Sequence, residues 1–122
     1  MNPRKKRRIE ELLRREISSI ILYEMSDPRV GHVALTRVEL SEDQRSARVY
    51  VIVRGEEETA EESLHALGGA RGYVQALIGR RLALRYTPVL QFEMDKDVLQ
   101  ALRTEQLIEE ARRQDQEPPA DL

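Results

Sequence analysis

The stretch SLHALGGARGYVQALIGRRL, residues 63–82, constrains the architecture of this chain more than any other. Leu64 and Leu67 give its first half an apolar edge, and apolar side chains return at helical spacing between Tyr73 and Leu82. Between them lies Gly68-Gly69-Ala70-Arg71-Gly72, and each glycine costs a helix interior about 1 kcal/mol relative to alanine. The pattern therefore predicts two helices separated by a glycine-centred break.

A longer helix is predicted upstream, over residues 4–25. Its apolar side chains recur at spacings of three and four, which places them on one face of a helix. They are Ile9, Leu12, Leu13, Ile17, Ile20 and Ile21. Ser26-Asp27-Pro28 ends the helix, because proline disfavours helical geometry at the residue before it.

Two strands that form an antiparallel hairpin are predicted after this helix. Val33 and Leu35 share one phase of alternation, whereas Val38 and Leu40 share the other. This change of phase predicts a β-bulge or a twist between the two pairs. Residues 47–53 alternate in apolar and polar character, as a half-buried strand does.

A third strand after Pro88 completes the order helix, strand, strand, helix, break, helix, strand. This order predicts an α+β fold with helices packed on one face of a three-stranded sheet. It is also the type II order of the KH module, α-β-β-α-kink-α-β. KH domains clamp nucleic-acid backbone with a Gly-x-x-Gly loop, and Gly69-Ala70-Arg71-Gly72 has that spacing. We therefore expect a KH-like fold.

Length and composition limit the domain organisation and the location. A chain of 122 residues forms one domain, which we place at residues 1–112, followed by an acidic tail at 113–122 that we expect to be disordered. The chain has no cysteine, which suits a reducing compartment, and no apolar run approaches the ~20 residues of a membrane span. We expect a cytoplasmic protein with no membrane partner, monomeric when free.

Charge is strongly segregated although the net charge is only −2. Residues 1–55 carry 12 basic and 8 acidic side chains (+4), and residues 63–92 carry four arginines and no acid (+4). Residues 56–62 hold five glutamates (−5), and residues 93–122 hold 4 basic and 9 acidic side chains (−5). A chain with this distribution can present one cationic face to a polyanion.

The basic side chains of the two positive blocks are the candidates for RNA contact. They are Arg4, Lys5, Lys6, Arg7, Arg8, Arg15, Arg71, Arg80, Arg81 and Arg85. Each also has a simpler interpretation: residues 4–8 as a solvated tail, Arg80 and Arg81 as surface residues, and Arg85 as a member of an intramolecular ion pair. Aromatic residues make up only 4% of the chain, so phosphate contacts and shape are favoured over base stacking.

The sequence gives no support for enzymatic chemistry. No nucleophile–base set or phosphate-binding loop is evident, so we predict a non-enzymatic protein without cofactor or metal. His32 and His65 are interpreted as ordinary surface or strand residues. Asp95 and Asp97 are interpreted as initiating a final helix over residues 98–112 rather than as metal ligands.

Three segments of the chain resemble the ribosome-binding factor A family. That family has a KH-like fold in which the loop is replaced by a helix–kink–helix with the pattern Ala-x-Gly, and Ala70-Arg71-Gly72 stands where that kink belongs. Asp27-Pro28-Arg29-Val30-Gly31 resembles the family's turn after the first helix. Val38-Glu39-Leu40-Ser41 and Ala47-Arg48-Val49-Tyr50-Val51 resemble its first two strands. The resemblance extends from Ile9 to Ile108.

The resemblance implies a non-enzymatic ribosome assembly factor. Such a protein binds the small (30S) ribosomal subunit and its 16S rRNA during late maturation, including processing of the 5′ region, and is linked to growth in the cold. It also implies that Ala70, Arg71 and Gly72 form a packed interhelical kink. Two alternatives stay open from the residues alone: a generic KH module for single-stranded RNA, and a protein–protein adaptor.

Overall fold

The computed structural model describes residues 1–30, 32–55 and 57–116. It confirms an α+β fold with a three-stranded sheet. The elements are α1 (Pro3–Ser19), a π-helical turn (Ile20–Glu24), a 3-10 turn (Pro28–Val30), β1 (Val33–Leu40), β2 (Ser46–Val53), α2 (Glu57–Arg81), β3 (Val89–Met94) and α3 (Lys96–Gln116).

Helix α1 begins as the sequence indicates and buries one face. The Asn2 side chain accepts a hydrogen bond from the Arg4 backbone N–H at 2.8 Å, and Pro3 occupies the first turn, where its missing N–H has no cost. Ile9, Leu13 and Ile17 are buried against the sheet. Ile20 and Ile21, three and four residues after Ile17, continue the same buried face into the π-helical turn.

The sheet has the order β1-β2-β3, antiparallel between β1 and β2 and parallel between β2 and β3. Leu35 pairs with Val51 and Arg37 with Tyr50, which leaves Thr36 without a register partner. The bulge predicted from the change of phase in β1 is confirmed. Along β2 the buried residues alternate with less buried ones, so only one face of the sheet is covered.

The covered face packs against α1, which lies on β1, and α2, which lies on β3. The core is almost wholly aliphatic, as the scarcity of aromatic residues requires. Its innermost side chains are Leu13, Ile17, Ile20, Val30, Leu40, Val49, Val51, Leu67, Val74, Ile78 and Leu90.

Helix α2 differs from the prediction because it runs through the glycines as one element from Glu57 to Arg81. The predicted break into two separate helices is not found there, whereas the kink at Ala70, Arg71 and Gly72 stays a prediction. Leu67, Val74 and Ile78 keep one helical face buried on both sides of the glycines. That continuous burial offsets the helical penalty of the glycines, which a local sequence pattern does not reveal.

The last helix starts where Asp95 predicts and extends further than expected. The Asp95 side chain accepts a hydrogen bond from the Val98 backbone N–H at 3.1 Å, an N-terminal cap for α3. The helix reaches Gln116, so residues 113–116 are helical where a disordered tail was expected. Residues 117–122 of that tail lie outside the described part of the chain. Within residues 1–30, 32–55 and 57–116, no helix is both long and apolar enough to cross a membrane.

Candidate nucleic-acid interface

The first two turns of α1 concentrate positive charge, most of which has no acidic partner among the described residues. Arg4, Lys5, Arg7 and Arg8 are exposed, and within the described residues none of their side chains forms an ion pair. Lys6 is half-buried, with its Nζ atom 3.5 Å from Glu42 Oε1. The first turn holds no acidic residue. Because a helix N-terminus already carries partial positive charge, each cation there is unfavourable for the free protein and favourable for a bound anion.

Arg15 continues this face of α1. Positions 4, 8 and 15 are one and three helical turns apart, so the three arginines lie along one side. Arg15 Nε donates to Glu11 Oε1 at 3.1 Å, and Arg14 Nη2 donates to the same oxygen at 2.6 Å. The hydrogen bond from Arg14, with that from Arg15 and their charges, lowers the pKa of Glu11 to about 2. The Arg15 side chain is partly compensated but 73% exposed, so it stays accessible to a ligand.

The arginines of α2 do not form one cluster. Arg71 and Arg80 are both exposed, but about two and a half helical turns separate them, so they project from opposite sides. Arg80 Nε donates to the Ala76 backbone carbonyl at 3.4 Å. Only one of these two side chains can face a surface that α2 lies flat against.

Arg81 has two intramolecular partners that the sequence did not indicate. Its Nη1 atom donates to Glu16 Oε1 at 3.0 Å and to Glu24 Oε2 at 2.6 Å, and its Nη2 atom also contacts Glu24. The hydrogen bonds to Glu24 and then to Glu16 raise the pKa of Arg81, and the Arg81 hydrogen bond lowers the pKa of Glu24. Arg81 thus connects the end of α2 to α1 and the π-helical turn.

Arg85 lies in the loop between α2 and β3 and contacts an aromatic ring rather than a carboxylate. Its guanidinium carbon is 5.3 Å from the centroid of the Tyr86 ring, and that of Arg45 is 4.8 Å from the same centroid. These distances are within the range of cation–π attraction. Arg45 was not singled out from the sequence, because its proximity to Tyr86 arises from the parallel pairing of β2 and β3.

On the outer face of the sheet, the side chains of Arg37 and Arg48 have partners from the sheet or the residue after it. The Arg37 guanidinium carbon lies 3.9 Å from the Tyr50 ring centroid, and Arg48 Nε lies 4.0 Å from Glu93 Oε1. Arg37 Nε also approaches the buried Asp95 at 3.4 Å. The Thr36 hydroxyl donates to Asp95 Oδ2 at 2.6 Å and is the main cause of that carboxyl's lowered pKa. These groups order the bulge and the start of α3.

Three glycines of α2 lie on its solvent side. A Cβ atom added to Gly68, Gly69 or Gly72 would meet no other atom within 4 Å. Within the described residues, a Cβ atom at Gly72 would therefore not be crowded by another element. The glycines leave a strip of helix backbone without side-chain cover, which a flat partner can approach closely. Gly79 is different, because an added Cβ would lie 3.0 Å from Thr87 Oγ1.

A groove runs between α2 and the residues that follow the π-helical turn. Glu24, Ser26 and Arg29 lie along one side, and Gly69 and Tyr73 along the other. The buried Ser63 hydroxyl fixes the two sides together by donating to the Arg29 carbonyl at 2.5 Å. Sequence reasoning did not find this groove, since its two sides are distant along the chain. In the described residues, no group of three or more His, Asp or Glu side chains could hold a metal ion.

Fold and charge together define a KH-like α+β domain whose first helix presents uncompensated cations. The model of the family described as Ribosome-binding factor A matches residues 5–108. The chain belongs to the ribosome-binding factor A family.

Relatives and solved structures agree with this membership. The chain is 39% identical over 116 residues to Ribosome-binding factor A of Halothermothrix orenii, covering 95% of each chain. It is 43% identical over 108 residues to that of Acetivibrio thermocellus, covering 88% of each. The crystal structure of ribosome-binding factor A from Thermus thermophilus is similar at a TM-score of 0.67, with 32% identity, 73% of this chain and 94% of that one covered. A homology model of Thermus thermophilus ribosome-binding factor A, fitted into the cryo-EM map of a 30S complex, is similar at a TM-score of 0.60 with 32% identity. The match covers 70% of this chain and 90% of that one.

Proposed function

We propose that this chain is a non-enzymatic assembly factor that binds the small (30S) ribosomal subunit and its 16S rRNA during late maturation. The proposal includes a role in processing the 5′ region of that RNA, and it places the protein in the cytoplasm, where subunits mature. Family membership supports it, as does the similarity to a factor fitted into a 30S complex.

One observation carries the proposal beyond family membership: the uncompensated cations at the N-terminal end of α1. Arg4, Lys5, Arg7 and Arg8 lie at the positive end of a helix and lack intramolecular acidic partners among the described residues. A polyanion such as rRNA relieves this repulsion by placing phosphates among the cations. The proposed contact surface consists of these four residues with Lys6 and Arg15 on α1 and Arg85 at its margin. Either Arg71 or Arg80 extends it along α2, since the two project from opposite sides of that helix.

A generic KH module for single strands is the second candidate, and the geometry of α2 favours the assembly factor over it. A Gly-x-x-Gly loop binds phosphate through free backbone N–H groups. In α2 the segment Gly69–Gly72 is helical, and its amides are used in the helix. Recognition of a folded RNA surface by exposed cations needs no such loop.

The test is co-sedimentation with isolated small subunits and, separately, with mature whole ribosomes. Arg4→Gln/Arg8→Gln is compared with Arg112→Gln/Arg113→Gln, which removes the same charge from exposed positions of α3. We expect the α1 variant alone to lose small-subunit affinity, with no loss of thermal stability, because the two cations it removes oppose the helix dipole. Each lost phosphate contact also makes the slope of log affinity against log salt shallower by about 0.7–0.9.

Two results would contradict the proposal. Equal effects of the α1 and α3 variants would show that only overall charge matters. A flat salt response of the unmodified protein would favour a protein partner, as in the adaptor interpretation.

A further inference from the structure

The four tyrosines of this chain fall into two pairs that differ in environment. Tyr50 is covered by Arg37, and Tyr86 lies between Arg45 and Arg85, so their ring faces already have cationic partners. Tyr23 is 82% exposed and Tyr73 is 50% exposed, and no such partner is present for either within the described residues.

Tyr23 stands in solvent because it lies on the outer side of the π-helical turn. Ile20 and Ile21 of that turn are buried, whereas the next two residues, Leu22 and Tyr23, are exposed. Single π-helical turns within α-helices occur often at functional positions. The Glu24 carboxylate, held by Arg81, anchors the end of this turn. Tyr23 is thus an exposed ring on a fixed backbone.

One of the exposed tyrosines, Tyr73, lines the groove between α2 and residues 24–29. Tyr23 does not line the groove, but it immediately precedes Glu24, which lines the side opposite Tyr73. Gly69 removes one side chain from the wall beside Tyr73, so a planar group can lie against the helix.

The charges of the groove are already neutralised, which selects a nucleobase rather than a phosphate. Glu24 is paired with Arg81, and Asp27 with Arg29, whose Nη2 atom lies 2.7 Å from Asp27 Oδ2. The hydrogen bond from Arg29 lowers the pKa of Asp27 to about 2, so this pair stays ionised at neutral pH. The groove therefore offers no free cation to a phosphate, while Ser26 and His65 offer hydrogen-bonding groups to the edge of a base.

Free positive charge continues beside the groove along α2. Arg80 lies about two helical turns from Tyr73 on the same side of the helix. A single strand whose phosphate contacts Arg80 can direct an adjacent base toward Tyr73. Alternation of cations with aromatic rings is the arrangement that proteins use to bind unpaired nucleotides.

We propose that Tyr73 forms a stacking site for an unpaired base of RNA in this groove, and that Tyr23, next to Glu24 in the chain, supplies a second ring at the edge of the groove. The inference rests on the proposed function, because it supplies a base-binding element to an RNA surface otherwise built from cations. It revises the expectation that this chain would use arginines in place of stacking.

The test compares Tyr23→Leu and Tyr73→Leu, singly and together, with Tyr23→Phe and Tyr73→Phe as matched controls that keep the ring. Both tyrosines are exposed, so we expect unchanged thermal unfolding in all variants. Affinity for isolated small subunits, measured at one salt concentration, should fall roughly 5- to 150-fold for each stacked base lost in a leucine variant. The phenylalanine variants should bind like the unmodified protein.

Two further readouts separate this inference from the proposed function. Removal of a stacked base leaves the number of phosphate contacts unchanged, so the leucine variants should keep the salt slope, whereas Arg4→Gln/Arg8→Gln reduces it. An unstructured oligouridylate should quench the tyrosine emission, which no tryptophan obscures in this chain, and the double leucine variant should abolish that quenching.

Three outcomes would overturn the stacking site. Leucine variants that bind small subunits normally while the α1 variant does not would leave the assembly-factor proposal intact without this site. Leucine variants that lose subunit binding but still bind the oligouridylate would assign the groove to a ribosomal protein. A loss of binding in the phenylalanine variants equal to that in the leucine variants would show that the hydroxyls, not the rings, make the contact.

Discussion

Replacement of the solvent-facing glycines of α2 by alanine should stabilise this protein. Alanine is favoured over glycine within a helix because glycine loses more backbone freedom on folding. An added Cβ at Gly68, Gly69 or Gly72 meets no atom within 4 Å, so no steric penalty offsets this gain. Each substitution should therefore raise the free energy of unfolding by about 0.5–1 kcal/mol. The three together should contribute roughly 1.5–3 kcal/mol, provided that they act independently.

The melting temperature gives the most direct measurement. At about 4 °C per kcal/mol for a domain of this size, the triple variant should melt roughly 6–12 °C higher. Thermal unfolding followed by circular dichroism measures the shift, and urea unfolding at constant m-value checks the free energy. Gly79→Ala is the matched control, because its Cβ would lie 3.0 Å from Thr87 Oγ1 and the crowding opposes the gain.

A packed kink at the glycines would reverse these expectations. If Gly72 were held in a helix crossing, Gly72→Ala would destabilise the protein and Gly72→Val would do so more strongly. With α2 continuous, Gly72→Val should be close to neutral, since valine has a somewhat better helix propensity than glycine. A loss of more than about 1 kcal/mol in Gly72→Ala would refute the continuous helix.

The further predictions concern three side chains, Asp95, Arg81 and Arg71. Asp95→Ala should lower the free energy of unfolding by at least about 1 kcal/mol, because α3 loses its cap and the Thr36 hydroxyl its acceptor. Asp95→Asn keeps one of the two acceptor oxygens and should lose less. Because the folded pKa of Asp95 is lower than its ordinary value of 3.8, the ionised carboxylate stabilises the fold at pH values above 3.8, and this stabilisation is lost as the pH falls through the folded pKa. The free energy of unfolding of Asp95→Asn should therefore decline less on acidification than that of the unmodified protein. An equal decline in both proteins would contradict this role of Asp95. Arg81→Gln should lower the melting temperature more at low salt than at high salt, because salt screens the ion pairs of Arg81 with Glu16 and Glu24. Equal decreases at both salt concentrations would show that these ion pairs do not stabilise the fold electrostatically. Arg71→Glu should leave thermal unfolding unchanged but weaken co-sedimentation with small subunits, and normal binding would place Arg71 outside the interface.

The sequence predicted those features of the fold that depend on local periodicity. The spacing of Ile9, Leu13 and Ile17 indicated one buried face of α1, and the phase change between Leu35 and Val38 located the bulge. Asp95 indicated the start of α3, because a capping carboxylate accepts a hydrogen bond from the backbone N–H three residues further along the chain, here that of Val98. Each of these signals lies within a few residues of the structure that it specifies.

Features that depend on tertiary contacts were not predictable in the same way. Continuity of α2 comes from burial of Leu67 and Val74 against the sheet, which outweighs the glycines between them. The partners of Arg81 lie on α1 and the π-helical turn, so its sequence neighbours gave no sign of them. The availability of Tyr23 and Tyr73, as against Tyr50 and Tyr86, likewise depends on which cations the fold brings to each ring.

The parallel pairing of β2 with β3 has a consequence for the order in which the chain folds. Strands β1 and β2 are joined by a short turn at residues 41–45, and such a hairpin closes locally and fast. Strand β3 can pair with the free edge of β2 only after all of α2 has been synthesised, since α2 lies between the two strands in the chain. Contacts between residues so far apart in the sequence slow folding. During synthesis the edge of β2 therefore stays open until residue 94 leaves the ribosome, and an open strand edge is a template for mispairing. Arg45, Arg48 and Arg54 lie along or beside β2, and their charges discourage other chains from adding there before β3 arrives.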